Sequence, residues 1–383
     1  MSLSFGKITD EGIEKLRSRI GVERKGSNMH RRGPLPLTPE TVKRFALGSG
    51  DDNPLYLDRA HAEASRHGSR IAPPSITGYL ERSNGASDGF PGCHTIWREA
   101  SYEWARAMRV GEVLDSSSYL RHVEIIPSKF GGGRAAIQNY ETVIVDESGA
   151  PIGRYDTSWH RFERSGAKKA STLKKRELAS YTPDDIERIK ADYRKERRRG
   201  ADTLHWEEVQ LEEEMPFVVK GPTTQISKFA FESWMGAGGW FVGHKLAFDL
   251  FDKHPGLPFI NEQGIPEAPV AIHWSNERSQ SILGLPGAYE AGYERTSWIV
   301  HMITNWMGDE GHLYQLTQRY PTFNLLGDTT WCHGTVKEKF LLNEPVDGKR
   351  HAVRCEIWTV NQRGDITTTG QAVVLLPGAE GSA

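Results

Sequence analysis

FALGSGDDNPLYLDRAHAEASRHGSRIAPP, Phe45 to Pro74, is the stretch from which the rest of the chain can be read. It opens with a dense run of turn formers, Gly50-Asp51-Asp52-Asn53-Pro54. Proline disfavours helix at the residue before it, so Asn53 is expected to be extended. An alanine-rich run of helical spacing follows, about Arg59 to His67, and Ala72-Pro73-Pro74 stops it. Asp51 and Asn53 are therefore expected on a tight turn just ahead of a helix. Turns held by a rigid scaffold are frequent sites of chemistry.

Upstream, Asp10 to Ile20 has the composition of a short helix. Leu35 to Leu47 contains Thr38-Pro39-Glu40, a helix start with a threonine cap, proline in the first turn and then an acid. Downstream, Tyr119 to Ile126, Ala135 to Val145 and Ile152 to Phe162 are rich in β-branched and aromatic residues and read as strands. Asp146-Glu147-Ser148-Gly149 is a hairpin signal between two of them. A helix followed by antiparallel strands predicts an α+β layer.

Arg164 to Gly200 interrupts this pattern with KKASTLKKRELAS and then TPDDIERIKADYRKERRRG. The second part carries a helix cap and regular acid–base spacing, and reads as a solvated linker helix. Its end, Arg197-Arg198-Arg199, is basic enough to raise the question of an anionic ligand, but charge runs of this kind are usually solvated faces.

After the linker the first half repeats. Glu141, Val145 and Gly149 recur as Glu356, Val360 and Gly364, an offset of 215 by subtraction. Adding 217 to Tyr56 gives His273, in AIHWSNERSQSILGLPGAYEAG. The positions five and three before it are Ala268 and Val270, where the first half has Asp51 and Asn53. Trp234 to Pro269 is longer than its counterpart and reads as an insertion, with Gly236, Gly238 and Gly239 as a flexible entry. Trp298 to Gly308 (WIVHMITNWMG) is apolar and reads as a packed helix.

A chain of 383 residues has room for two domains. Its net charge of −2 gives no reason to expect a nucleic-acid partner. Cys93, Cys332 and Cys355 lack metal-site spacing and leave an odd thiol, which favours a reducing compartment. The polar N-terminus shows no signal-peptide core, and no apolar run reaches the ~20 residues that cross a bilayer. A soluble, cytoplasmic protein without a membrane partner is the expectation.

The Gly50, Asp51, Asn53 and Pro54 pattern resembles the Gly-Asp-x-Asn-Pro-x-His motif of the MaoC-like hot-dog hydratases, the (R)-specific enoyl-CoA hydratases and 3-hydroxyacyl dehydratases. Tyr56 stands where that motif has histidine. The segment around His273, with its Gly284-Leu285-Pro286-Gly287 turn, is similar to the same motif with the histidine present and the aspartate and asparagine absent. The resemblance implies a double hot-dog fold, two antiparallel sheets each wrapped round a central helix. The central helices would follow each motif, the first being Arg59 to His67. The domains would be 1–164, similar to the N-terminal dehydratase-like half of such proteins, a linker at 165–203, and 204–383.

The resemblance also implies an activity: hydration of 2-enoyl thioesters, or dehydration of (R)-3-hydroxyacyl thioesters, as CoA or acyl-carrier-protein esters, without a metal or other cofactor. His273, Asp51 and Asn53 are the catalytic candidates. Tyr56, Asn276, Gly287, Ala288 and Tyr289 are the substrate-binding candidates, Gly287 and Ala288 for a backbone N–H that binds the carbonyl. Asn276 and Glu267 lie near enough to His273 in sequence to replace the missing amide or carboxylate. Two arrangements stay open: a C-terminal site at His273 with a supporting first half, which the motif logic favours, or a site in which Asp51 and Asn53 meet His273. A non-catalytic acyl-CoA-binding module and a thioesterase or isomerase are the rival functions. The internal repeat supplies the pairing that single hot-dog domains obtain by dimerising, so both a monomer and a homodimer are open.

Overall fold

The computed structural model describes residues 6–24, 33–86, 88–128, 133–163, 177–234 and 241–379. Gly236, Gly238, Gly239 and the KKASTLKK part of the linker lie outside the described residues.

Most helices begin where a side chain can satisfy their first N–H groups. Thr9, Thr38, Asn53 and Asp58 cap α1 (Asp10–Arg17), α2 (Pro39–Ser49), α3 (Pro54–Leu57) and α4 (Arg59–Ala64). A reciprocal pair, Thr182 and Asp185, caps α5 (Pro183–Tyr193), the linker helix. Thr224 caps α6 (Gln225–Ser233), α7 (Lys245–Lys253) follows, and Ser275 caps α8 (Asn276–Leu283). The exception that matters is α9 (Gly292–Met307), which starts without a side-chain cap.

The strands are β1 (Glu23–Arg24), β2 (Leu35–Pro36), β3 (His94–Trp104), β4 (Val113–Pro127), β5 (Arg134–Asp146), β6 (Pro151–Phe162), β7 (Val218–Lys220), β8 (Phe259–Ile260), β9 (Pro266–Glu267), β10 (His312–Arg319), β11 (Thr330–Val346), β12 (Lys349–Asn361) and β13 (Ile366–Leu375). One sheet runs β1-β4-β5-β6-β3-β10-β13-β12-β11-β7, with β2 also on β4; β8 and β9 form a separate ribbon. The order β4-β5-β6-β3 is mirrored by β11-β12-β13-β10. The two halves are therefore copies of one unit, joined edge to edge at β3 and β10, where Tyr102 faces Leu316 and Glu99 faces Arg319. Joining the two edges removes an unpaired strand from each half.

The central helix of the second half is α9, not the segment directly after His273. It is buried from Glu294 to Met307, as a helix enclosed by a sheet must be, and its polar side chains are buried with the apolar ones. Trp298, Ile299, Met302, Ile303 and Trp306 share a core with Val336, Val353, Cys355 and Ile357. The first half differs. The expected central helix at 59–67 is only α4, which ends at Ala64 and buries Ala62 alone. Its place against the sheet is taken by a short 3-10 helix, Pro74–Leu80. That element is too short to cover the concave face, and aromatic side chains fill the remainder. Tyr102 stacks on Tyr155 at 4.4 Å and on Trp104 at 5.2 Å, and Trp104 Nε1 donates to Thr77.

The basic end of the linker is spent on internal contacts. Arg198 pairs with Asp52 and donates to Asn305, and Arg199 donates to the Trp306 carbonyl. The three cysteines are buried and none forms a disulfide among the described residues.

Candidate active site

Two buried polar clusters flank α9, one at each end. Glu294, in the first turn, belongs to one, and His301 to the other. Seven residues of helix separate them by about 10 Å.

The cluster at the later end holds the first half's motif. Gly50 ends α2 in the left-handed conformation (φ 67°), which glycine adopts without strain. The turn is closed by its own side chains: Asp51 Oδ1 accepts the Asn53 N–H at 3.0 Å, and Asn53 Oδ1 accepts the Leu55 N–H at 2.9 Å. Across the junction, Lys220 Nζ makes three hydrogen bonds, to the Ser49 carbonyl (2.8 Å), the Gly50 carbonyl (3.0 Å) and His301 Nδ1 (2.8 Å). An ammonium has three protons, so all are used and His301 Nδ1 accepts. The His301 proton then sits on Nε2, 3.7 Å from Asp51 Oδ1. Burial and Lys220 hold the His301 imidazole far below its ordinary pKa, and burial raises Asp51 against the pull of Lys220. Tyr56 is 1% exposed and raised by burial and then by Asp51.

Asp51, Asp52 and His301 place ligand-type atoms within 4.8 Å of one another. The donor set does not suit a cation. Lys220 already occupies one imidazole nitrogen and Arg198 pairs with Asp52; a metal would need the Nε2 proton removed beside two positive charges. The adjoining cavity, lined among others by Asn53, Tyr56, His67 and Thr304, measures about 30 Å³.

The cluster at the start of α9 is built around His273. Its Nδ1 lies 2.8 Å from the Tyr289 carbonyl, so Nδ1 carries the proton and donates. Nε2 makes no hydrogen bond among the described residues and keeps its lone pair. Burial and then Lys228 bring the ring down to about 4, against Glu232 and the Tyr289 carbonyl. The imidazole is neutral at pH 7 and able to take a proton. Beside it, Lys228 Nζ lies 2.8 Å from Glu232 Oε1 and 2.6 Å from Glu294 Oε2. All three are 5% exposed or less. The Tyr293 hydroxyl donates to Glu232 Oε2 at 2.6 Å. Burial raises Glu232, but Lys228 and Tyr293 outweigh it, so its carboxyl sits below the usual range; Glu294 stays raised by burial. Glu290 is pushed up to about 7 by burial despite Arg295.

The first residue of α9 must be small: a Cβ on Gly292 would run into the Trp97 ring. The uncapped N–H groups of this first turn concentrate positive potential there.

Other sequence candidates are placed differently from expectation. The Ala288 N–H donates to Asn276 Oδ1 at 2.9 Å, so neither group is free for a substrate carbonyl; each secures the turn before α9. Gly287 packs on Leu178, where a Cβ would come within 2.5 Å. Tyr289 is 6% exposed and serves through its carbonyl. Glu267 pairs with Arg278 at 3.2 Å. Asp51 and Asn53 do not share a cluster with His273; the length of α9 keeps them apart.

Lys228, Glu232, Lys220 and His301 were not among the sequence candidates. A second repeat signals the first two: RFALGSG (44–50) and KFAFESW (228–234) share Phe, Ala and Ser at an offset of 184 by subtraction. These segments lie on α2 and α6, which cross so closely that a Cβ on Gly48 would meet the Ala230 carbonyl at 2.6 Å. His301 was visible as the one histidine in the largely apolar WIVHMITNWMG run.

With this geometry in place, comparison with known proteins is informative. Residues 24–154 match the model of the FAS1-like dehydratase domain region. A solved MaoC-like dehydratase superposes with a TM-score of 0.63 at 14% identity, covering 95% of this chain and 100% of that one. The chain is a double hot-dog protein with the fold of the MaoC-like dehydratases. A putative MaoC domain dehydratase from Chloroflexus aurantiacus gives 0.58 at 10% identity, covering 94% of this double hot dog and 96% of its own chain. A conserved Mycobacterium tuberculosis protein described as a double hotdog fold gives 0.53 at 9%, covering 92% and 96%. No curated protein matches the sequence. No helix of the double hot dog, among the described residues, is long and apolar enough to cross a membrane.

Proposed function

We propose that this double hot-dog protein is a hydro-lyase acting on thioesters, adding water to a 2-enoyl group or removing it from an (R)-3-hydroxyacyl group, as CoA or carrier-protein esters. One observation carries the reading. His273, pinned through Nδ1, presents a neutral Nε2 beside the uncapped start of a buried central helix.

The steps follow from those parts. Water donates a proton to His273 Nε2 as its oxygen bonds to Cβ of the enoyl group. The electron pair of the double bond moves onto the thioester carbonyl, where the N-terminal N–H groups and dipole of α9 favour negative charge. The imidazolium then returns its proton to Cα, and His273 is neutral again. Dehydration is the reverse.

The test is hydration of a panel of 2-enoyl-CoA esters, followed by loss of the enoyl absorbance. His273→Ala is expected to lose about 100-fold or more, the usual scale for a proton-transfer group. Equal rates in the variant and the unchanged chain would reject His273. Product mass separates hydration from thioester cleavage, and an isomerase would leave the mass unchanged.

A further inference from the structure

The repeat exposes an omission at this site. The first copy has a carboxylate in its turn, Asp51; adding 217 leads to Ala268, whose methyl group cannot orient water. A lone imidazole holds one hydrogen of a water molecule and leaves the other unplaced. A carboxylate with capacity to spare must then come from elsewhere around His273.

Four glutamates are candidates. Glu267 is partly exposed and paired with Arg278. Glu290 holds Arg295, 2.5 Å away, and the Asn324 N–H through Oε1; its Oε2 is buried without a hydrogen bond, but the carboxyl does not act on the His273 ring. Glu294 accepts from Lys228 and does not act on the His273 ring. Glu232 lies on α6, which packs on the residue after His273: Gln225 donates to the Trp274 carbonyl at 3.0 Å and the Phe229 and Trp274 rings are 5.4 Å apart. Its Oε2 is fixed by the Tyr293 hydroxyl. Its Oε1 lies 2.8 Å from Lys228 Nζ yet accepts no well-aligned hydrogen bond, although the residue is only 3% exposed. A buried carboxylate oxygen in that state is a site for a water or a ligand hydrogen.

Glu232 also occupies a telling position. At the offset of 184 its counterpart on α2 is Gly48. One copy has its carboxylate in the turn and none on the helix. The other has none in the turn and one on the helix.

We propose that Glu232 supplies the carboxylate that the second copy lacks at Ala268, its Oε1 holding, together with His273 Nε2, the water that adds to the substrate. This rests on the thioester hydration reading above. No proton passes to Glu232. It accepts a hydrogen bond from the O–H that stays with the product, while the other proton goes to His273 and on to Cα. Lys228 keeps the carboxylate ionised, and Tyr293 sets its rotamer.

The experiment compares steady-state hydration by Glu232→Gln, Glu232→Asp and the double variant Glu232→Gln with Ala268→Asp, each checked by thermal melting. Glu232→Gln is expected to lower kcat about 100-fold with KM within about threefold, because the amide loses the charge that activates water. Ala268→Asp in that background should restore at least tenfold by returning a carboxylate to the turn. Full activity of Glu232→Gln overturns the proposal. So does a loss that neither Glu232→Asp nor Ala268→Asp relieves, since a structural role alone predicts that pattern. If Glu232→Gln does not fold, Tyr293→Phe takes its place: about tenfold lower kcat is expected, and no change overturns the proposal. Absence of turnover by the unchanged chain, or full activity of His273→Ala, sinks the hydration reading itself and is thus distinct from failure of Glu232.

Discussion

The two ends of α9 contain the same residue types in opposite states. At the His273 end, an imidazole held through Nδ1 keeps Nε2 without a hydrogen bond among the described residues, near a carboxylate paired with Lys228, where a helix begins without a side-chain cap. At the His301 end, the imidazole is fixed by a lysine whose three protons are all spent, and the acid and amide close their own turn. The motif of the first half is the more complete in sequence, and Asp51 and Asn53 close their own turn there, although His301 Nε2 is buried without a hydrogen bond. The motif around His273 has lost its acid and amide, and its imidazole is held through Nδ1 alone.

The contrast can be broken most severely at Lys220. Lys220→Met leaves two carbonyls and His301 Nδ1 buried without their donor. It is expected to cost roughly 3 kcal/mol of stability in urea unfolding, with turnover per folded molecule unchanged. A loss of turnover matching that of His273→Ala would show that both ends serve one reaction. Gly48→Ala is the next largest test. The added methyl must displace the Ala230 backbone where α2 crosses α6, at a cost of roughly 2 kcal/mol. Because α6 carries Glu232, kcat should fall in the same variant, whereas an unchanged kcat would show that the crossing does not position the site.

The smallest expected effect sharpens the His273 end through pH. Burial and Lys228 lower this histidine from the ordinary 6.5 to about 4. The groups that act on it are Lys228 and Glu232 on α6 and the Tyr289 carbonyl just before α9. A base is lost as pH falls through its pKa, so kcat/KM should stay flat from pH 8 to 5 and decline only near 4. An acid limb at 6 to 7 would mean that the ring is solvated and that the charged groups around it are not those described.

Much of this was legible in the chain. The strands between Tyr119 and Phe162, the Thr38 and Thr182 caps and the repeat itself depend on local chemistry, and each can be read residue by residue. His273 could be found by the repeat offset. The central helices could not be assigned from local signals. The Arg59–His67 run has good helix formers, but tertiary packing limits it to a short exposed turn of helix, because the sheet encloses the 3-10 segment and its aromatic neighbours instead. Ala288 and Asn276 were plausible binding residues until folding paired them with each other.

By itself, then, the sequence determined that there are two related halves, that each carries part of one motif, and that a charged helical segment joins them, since these depend on composition, spacing and repetition along the chain. Only the tertiary structure decided which polar groups end up satisfied. Lys220 is 170 residues from Gly50, and Lys228 is 66 from Glu294. Which hydrogen bonds an imidazole makes depends on partners that far away, and no local pattern encodes them.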